Sequence, residues 1–153
     1  MNEQELEAIE VLVDQFREKL INSHNEISKY AFAVNSSEEK FSKYVNAIAD
    51  YFCINAKDIT GKRSRLTDIK KSRHILWWLC RTGDTNVKWS LSKIGQKTCE
   101  ERPFDHATVL HGVRTLGNDI DYCHVTKQDV KAIVECLGMR LVKVGSSWQA
   151  KVI

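Results

Sequence analysis

Apolar residues recur at intervals of three and four along most of this chain, which is the spacing of one face of an α-helix. Outside residues 89–116, this pattern predicts helical segments at residues 3–34, 38–52, 55–59, 68–82 and 126–137. The polar residues 35–37 predict a break, with Ser37 as the cap of the following helix. After Gly138 the period changes to two, which predicts a β-hairpin. The chain is therefore predicted to be mostly α-helical, with an added N-terminal helix and a short C-terminal hairpin.

The stretch from residue 89 to 116 predicts a helix-turn-helix. Ser90 can cap a short helix that Gly95 ends, and Asp105 can cap a second helix. The second helix carries an apolar row with the spacing of a buried stripe, formed by Val109, Val113, Leu116 and Ile120. Its opposite row is small, polar or cationic, and consists of Ala107, His111, Arg114 and Asn118. A helix with such an exposed row and a free first turn has the form that enters a DNA major groove.

Several motifs in order support this interpretation. They are SLSKIG at 90–95, DHATVLH at 105–111, DITGKR at 58–63, and RHI at 73–75 followed by Leu79 and Arg81. Over roughly residues 41–122 the chain resembles the C-terminal DNA-binding domain of the bacterial replication initiator DnaA. The resemblance implies a Trp-repressor-like, multi-helix helix-turn-helix fold. It also implies a sequence-specific interaction with double-stranded DNA, in DNA replication or in the regulation of transcription.

The resemblance assigns roles to individual residues. Base contacts in the major groove are expected from the first turn of the second helix and from its outward row, at Asp105, His106, Ala107, Thr108, His111 and Arg114. An arginine of the basic loop, Arg63 or Arg65, is expected in the minor groove. Phosphate contacts are expected from position rather than from the resemblance, for residues in or near the basic loop and on the first helix of the motif: Lys62, Lys70, Lys71, Arg73, Ser90 and Lys93. Two departures from the family pattern, Ala107 in place of a threonine and the turn at 102–104, leave open a different preferred DNA sequence.

Charge is distributed unevenly behind the net value of +3. Residues 1–40 carry four Lys and Arg against nine Asp and Glu, whereas residues 57–97 carry eleven against three. A basic region beside a helix-turn-helix supplies salt-dependent affinity for the DNA backbone through counterion release. The alternative is an ordinary solvated charged surface.

Three regions follow from these patterns: an acidic amphipathic helical segment at 1–36, the helix-turn-helix domain at 37–124, and a C-terminal helix with hairpin at 125–153. The apolar row of the first region continues through 6–34 at steps of three and four. It is compatible with packing inside the chain, with homodimerisation, or with a protein partner. A helix followed by a hairpin is also typical of a winged helix, whose wing touches DNA.

Other classes of protein find little support. The sequence has no apolar run of membrane-spanning length and no signal-peptide pattern, so we expect a soluble, cytoplasmic protein without membrane contact. Five cysteines without a C-x-x-C pair indicate reduced and mostly buried thiols. Phosphate-binding, metalloprotease and nucleophile motifs are absent, so we expect no enzyme, no cofactor and no metal. The alternative to DNA reading is a protein-interaction or assembly module that keeps the fold.

Overall fold

The computed structural model describes residues 2–61, 66–83 and 89–152, and of residues 27–37 it describes the backbone alone. The chain forms two compact units, residues 1–38 and 39–153. The elements in these ranges are α1 Glu3–Phe52, α2 Ala56–Thr60, α3 Thr67–Thr82, α4 Leu91–Thr98, α5 His106–Tyr122, α6 His124–Cys136, β1 Met139–Val144 and β2 Ser147–Val152. The predicted fold class, mostly helical with a terminal hairpin, is confirmed.

Helix α1 begins with a reciprocal cap. The side chain of Asn2 accepts from the Glu5 backbone N–H at 2.8 Å, and the Glu5 carboxylate accepts from the Asn2 N–H at 3.1 Å. The predicted break at residues 35–37 is wrong, because α1 continues through them. Asparagine and serine each lower helix stability by only about 0.5 kcal/mol relative to alanine. Without glycine or proline, these residues do not end it.

The second unit is built around α3. Ile75, Leu76, Trp77, Trp78 and Leu79 in its second half are all buried, so both tryptophans belong to the core. The same core includes one side of the last part of α1, where Val45 and Ile48 are buried and Phe41 and Phe52 are partly buried. A helix that is apolar on nearly every side is stable only when its neighbours cover it all round.

The hairpin completes this unit. Strands β1 and β2 are antiparallel with Leu141 opposite Ala150, and Ala150 is fully buried. The indole Nε1 of Trp148 donates to the Asp121 carboxylate at 2.7 Å, which fixes the hairpin near the C-terminal end of α5. An isolated two-stranded hairpin is marginal in water, and burial of Ala150 supplies the packing it needs.

Two smaller predictions need correction. Helix α6 begins at His124, two residues before the predicted start at residue 126, and its Asp129 accepts from the Tyr51 hydroxyl and from Lys71, each at 2.6 Å. The cysteines are free, but only Cys80 and Cys99 are buried. Among the described residues, no helix combines the length and the apolar character needed to cross a membrane.

Candidate nucleic-acid interface

Helix α4 and the turn after it form the first half of the candidate interface. The Ser90 hydroxyl accepts from the Lys93 backbone N–H at 3.2 Å and so caps α4. Gly95 does not end the helix as predicted, since α4 continues to Thr98 and Gly95 is buried within it. The Phe104 N–H donates to the Gly95 carbonyl at 3.3 Å, and a Cβ at Gly95 would collide with the Phe104 carbonyl oxygen. Gly95 is therefore the point where the returning chain touches α4.

The first turn of α5 is capped by Asp105. Its Oδ1 accepts from the backbone N–H groups of Ala107 at 2.6 Å and Thr108 at 3.2 Å, and the Thr108 hydroxyl lies 3.4 Å from Oδ2. The hydrogen bonds from Thr108 and then Ala107 lower the pKa of the Asp105 carboxyl. The side chains of Asp105, His106, Ala107 and Thr108 are all exposed. The structure thus presents four consecutive predicted base-contact residues together at one capped helix start.

The two predicted rows of α5 are confirmed by burial. Val109, Leu116 and Ile120 are buried and Val113 is partly buried. The outward row is exposed along its whole length, at Ala107, His111, Arg114 and Asn118. His111 and Arg114 therefore continue the exposed surface that the first turn begins.

Trp77 of α3 holds both helices of the motif in place. Its Nε1 donates to the Thr98 hydroxyl of α4 at 3.0 Å, and its ring meets the Phe104 ring edge-on with centroids 5.2 Å apart. A Cβ at Gly112 of α5 would lie only 2.5 Å from the Trp77 ring, so glycine permits the close approach of α3 and α5. Sequence reasoning missed this positioning role of Trp77. Gly112 follows Val109 of the buried row by three residues, which places it on the buried side of α5, and this spacing was the available signal.

His74, one turn before Trp77, lies at the same α3–α5 contact. A Cβ at Gly112 would lie 2.8 Å from its Cδ2. Burial lowers the pKa of His74 to about 4, with smaller contributions from the charges of Lys70 and His111. The imidazole is therefore neutral at pH 7, and a positive charge at this helix contact is disfavoured.

The predicted phosphate-contact residues fall into different environments. Lys70 and Lys93 are exposed, and Lys93 Nζ lies 5.5 Å from the centroid of the Trp89 ring. Lys71 is paired with Asp129 at 2.6 Å. Lys62, Arg63 and Arg65 lie outside the described residues.

The environment of Arg73 contradicts its predicted role as a phosphate contact. Its side chain is 3% exposed, its Nε donates to the Ile59 carbonyl at 2.9 Å, and its Nη2 donates to the Asp58 carbonyl at 3.1 Å. The guanidinium also lies 5.1 Å from the centroid of the Phe104 ring. A buried guanidinium with these partners ties α2 and the turn to α3, and it is not available to a phosphate.

Two helices joined by a turn at residues 99–105, with the second exposing its first turn and backed by a third helix, define a helix-turn-helix domain. Residues 42–116 match the family model described as bacterial dnaA protein helix-turn-helix. This part of the chain therefore resembles the DnaA helix-turn-helix domain, as its motifs predicted. The match supports DNA binding as the general function, and the family is a DNA-binding rather than an enzymatic one.

Proposed function

We propose that this protein binds double-stranded DNA sequence-specifically, with the first turn of α5 in the major groove, in the regulation of DNA replication or transcription. The observation that carries the proposal is the capped, exposed helix start at residues 105–108, backed by the buried Trp77. Base edges are read by side chains at the start of a recognition helix, and a rigid backing keeps them in register.

Each exposed side chain has a chemistry suited to a base edge. The Asp105 carboxylate can accept from the cytosine amino group, the Ala107 methyl can contact a thymine methyl, and Arg114 can donate to guanine. His106, Thr108 and His111 add donors and acceptors on the same surface. In this proposal Asp105 both caps α5 and contacts a base, because Oδ1 accepts the two backbone hydrogen bonds while the hydrogen bond of Oδ2 among the described residues comes from the Thr108 hydroxyl at 3.4 Å.

Phosphate contacts are proposed for Ser90, Lys93 and Lys70, whose side chains are exposed. Lys71 is also proposed as a phosphate contact, although its charge is already paired with Asp129. Lys62 is proposed as a phosphate contact from the sequence alone, and so are Arg63 and Arg65 as minor-groove contacts. Lysines at such positions add salt-dependent affinity without reading sequence.

Selection from randomised duplexes, followed by fluorescence anisotropy at two salt concentrations, tests the proposal. We expect an enriched motif, and we expect His106→Ala to lose about 1–3 kcal/mol of discrimination between that motif and a scrambled duplex. Asn118→Ala is the matched control, because Asn118 is exposed on the same row of α5 but about 18 Å further along the helix. Equal discrimination by both variants, or no enriched motif, would contradict sequence reading.

A pair of substitutions separates the two roles of Asp105. Asparagine caps helices as well as aspartate does, so Asp105→Asn should leave stability unchanged but alter the preferred base. Asp105→Ala removes the cap and should lower the free energy of unfolding by about 1 kcal/mol. Chemical denaturation and duplex selection measure the two effects. An unchanged base preference in Asp105→Asn would leave Asp105 as a cap only.

The second candidate function is a protein-interaction or assembly module that keeps this fold. The exposed apolar residues near the start of α1 favour it, because Leu12 and Phe16 are each 64% exposed. A protein that binds no duplex even at low salt would support this candidate. Salt-sensitive binding of duplex would count against it as the sole function.

A further inference from the structure

An apolar row lies uncovered along the N-terminal part of α1. Leu6, Ile9, Val13, Phe16 and Leu20 follow one another at steps of three and four, and each is between 46% and 64% exposed. Leu12 and Ile21, at 64% and 59%, flank the row. Soluble monomers rarely expose a continuous apolar surface of this kind, and larger patches mark interaction sites.

We propose that this row is the interface between two copies of the chain, which pair through residues 3–26 as an antiparallel coiled coil. The proposal is independent of DNA reading. The steps of three and four are those of a heptad with apolar a and d positions, and Leu6, Val13 and Leu20 occupy a while Ile9 and Phe16 occupy d. A sequence with this repeat presents a seam that matches the same seam on a second copy.

The charges beside the row select the orientation. Charged residues at the e and g positions set which way two helices pair. In a parallel pair, Glu5 at g of one helix would face Glu10 at e of the other, which is repulsive. In an antiparallel pair centred between Val13 and Phe16, Glu10 at e of each helix faces Arg17 at e of the other, which gives two pairs of opposite charge. Glu5 at g then faces Glu26 at g, so Glu5 meets a like charge in both orientations and the attraction between Glu10 and Arg17 decides between them.

The antiparallel arrangement also fits the apolar positions. Val13 stacks against Phe16 of the second copy, Ile9 against Leu20, and Leu6 against Ser23, so that two-fold symmetry gives six layers. The paired segment of 24 residues is about 36 Å long. An isolated helix with so much exposed apolar surface is marginal in water, and pairing removes that surface from solvent.

Sedimentation equilibrium of the full chain without DNA, from about 1 to 100 µM, tests the interface. We expect a concentration-dependent dimer. Val13→Asp should raise the dimer dissociation constant more than about 100-fold, because the symmetric interface loses the buried side chain twice. Val11→Asp is the matched control: it is the same substitution two residues away, Val11 is 55% exposed, and it lies outside the row. This variant should dimerise within about threefold of the parent protein.

A charge-reversal cycle tests the orientation. Glu10→Arg and Arg17→Glu should each weaken the dimer, and the double variant should recover it. A stronger dimer in Glu10→Arg alone would overturn the antiparallel arrangement, since it would report an attraction to Glu5 in a parallel pair.

A monomer at every concentration, or equal effects of Val11→Asp and Val13→Asp, would overturn the proposal and leave another protein as the occupant. As a control, the Val13→Asp variant should unfold thermally as the parent protein does, which would show that the substitution disrupts the dimer and not the fold.

Discussion

The start of α5 and the start of α1 are both exposed helix ends, but they differ in what supports them. Residues 105–108 are polar or small and stand on a turn that touches α4 and Trp77. The side chains of residues 2–26 are all exposed, and the row among them is apolar. Polar exposed groups on a rigid support suit the reading of a rigid ligand such as duplex DNA, whereas exposed apolar groups need a partner that covers them.

We therefore expect the position of the exposed surface of α5 to depend more on the residues packed behind it than on its own side chains. Three changes behind α5 should therefore affect stability or DNA binding, although none of them touches an exposed base-contact residue. The expected effects decrease from Gly95 through Arg73 to His74.

Gly95→Ala should have the largest effect. A Cβ at this position meets the Phe104 carbonyl oxygen, which is backbone, so the turn itself must shift. We expect the free energy of unfolding to fall by about 3 kcal/mol, measured by chemical denaturation. Gly117→Ala in α5 is the matched control, because a Cβ there has no neighbour within 4 Å and alanine should stabilise the helix by about 0.5–1 kcal/mol. Equal stability of the two variants would show that Gly95 is not a contact point.

Arg73→Met should have the second effect. It removes one buried and one partly buried hydrogen bond to backbone carbonyls and should lower the free energy of unfolding by about 2 kcal/mol. The salt dependence of duplex binding should stay the same. Lys93→Ala should do the opposite, with stability within about 0.5 kcal/mol of the parent protein and a salt slope smaller by about 1. A reduced salt slope in the Arg73 variant would restore Arg73 as a phosphate contact.

His74 should produce the smallest effect, visible as a pH dependence. Its pKa is about 4 in the folded protein and about 6.5 in an unfolded chain. Between these two values, His74 is protonated in the unfolded state but not in the folded state. The free energy of unfolding therefore decreases as the pH falls from about 6.5 to about 4. With allowance for partial exposure, we expect a loss of at most about 2 kcal/mol. His74→Gln should flatten this dependence, and the exposed His124→Gln should retain it; identical pH profiles would contradict the assignment.

Much of the fold was predictable because it rests on periodicity. The buried row of α5 and the hairpin strands follow from the spacing of apolar residues, and the motifs around Ser90 and Asp105 located both caps. The continuity of α1 was not predictable in this way, since a run of weak helix breakers stops a helix only when it has a better alternative.

What sequence reasoning missed depends on contacts between distant segments. Arg73 has the charge and position of a phosphate ligand in the linear sequence, but the carbonyls of residues 58 and 59 enclose it in the fold. Gly95 looked like a helix stop because glycine is common there, whereas its actual role is to admit the backbone of Phe104. Neither role leaves a local signal. The positions of Arg63 and Arg65 stay predictions, outside the described residues.

The docking of Trp148 on Asp121 has a practical consequence for labelling the protein. Asp121 lies fifteen residues after the start of α5, which is about 22 Å along the helix axis. The turn between β1 and β2 contains Gly145 at φ +63° followed by the exposed Ser146. A fluorophore or a short epitope placed at Ser146 would sit near the opposite end of α5 from the base-contact residues, and would report on the protein while leaving that surface accessible.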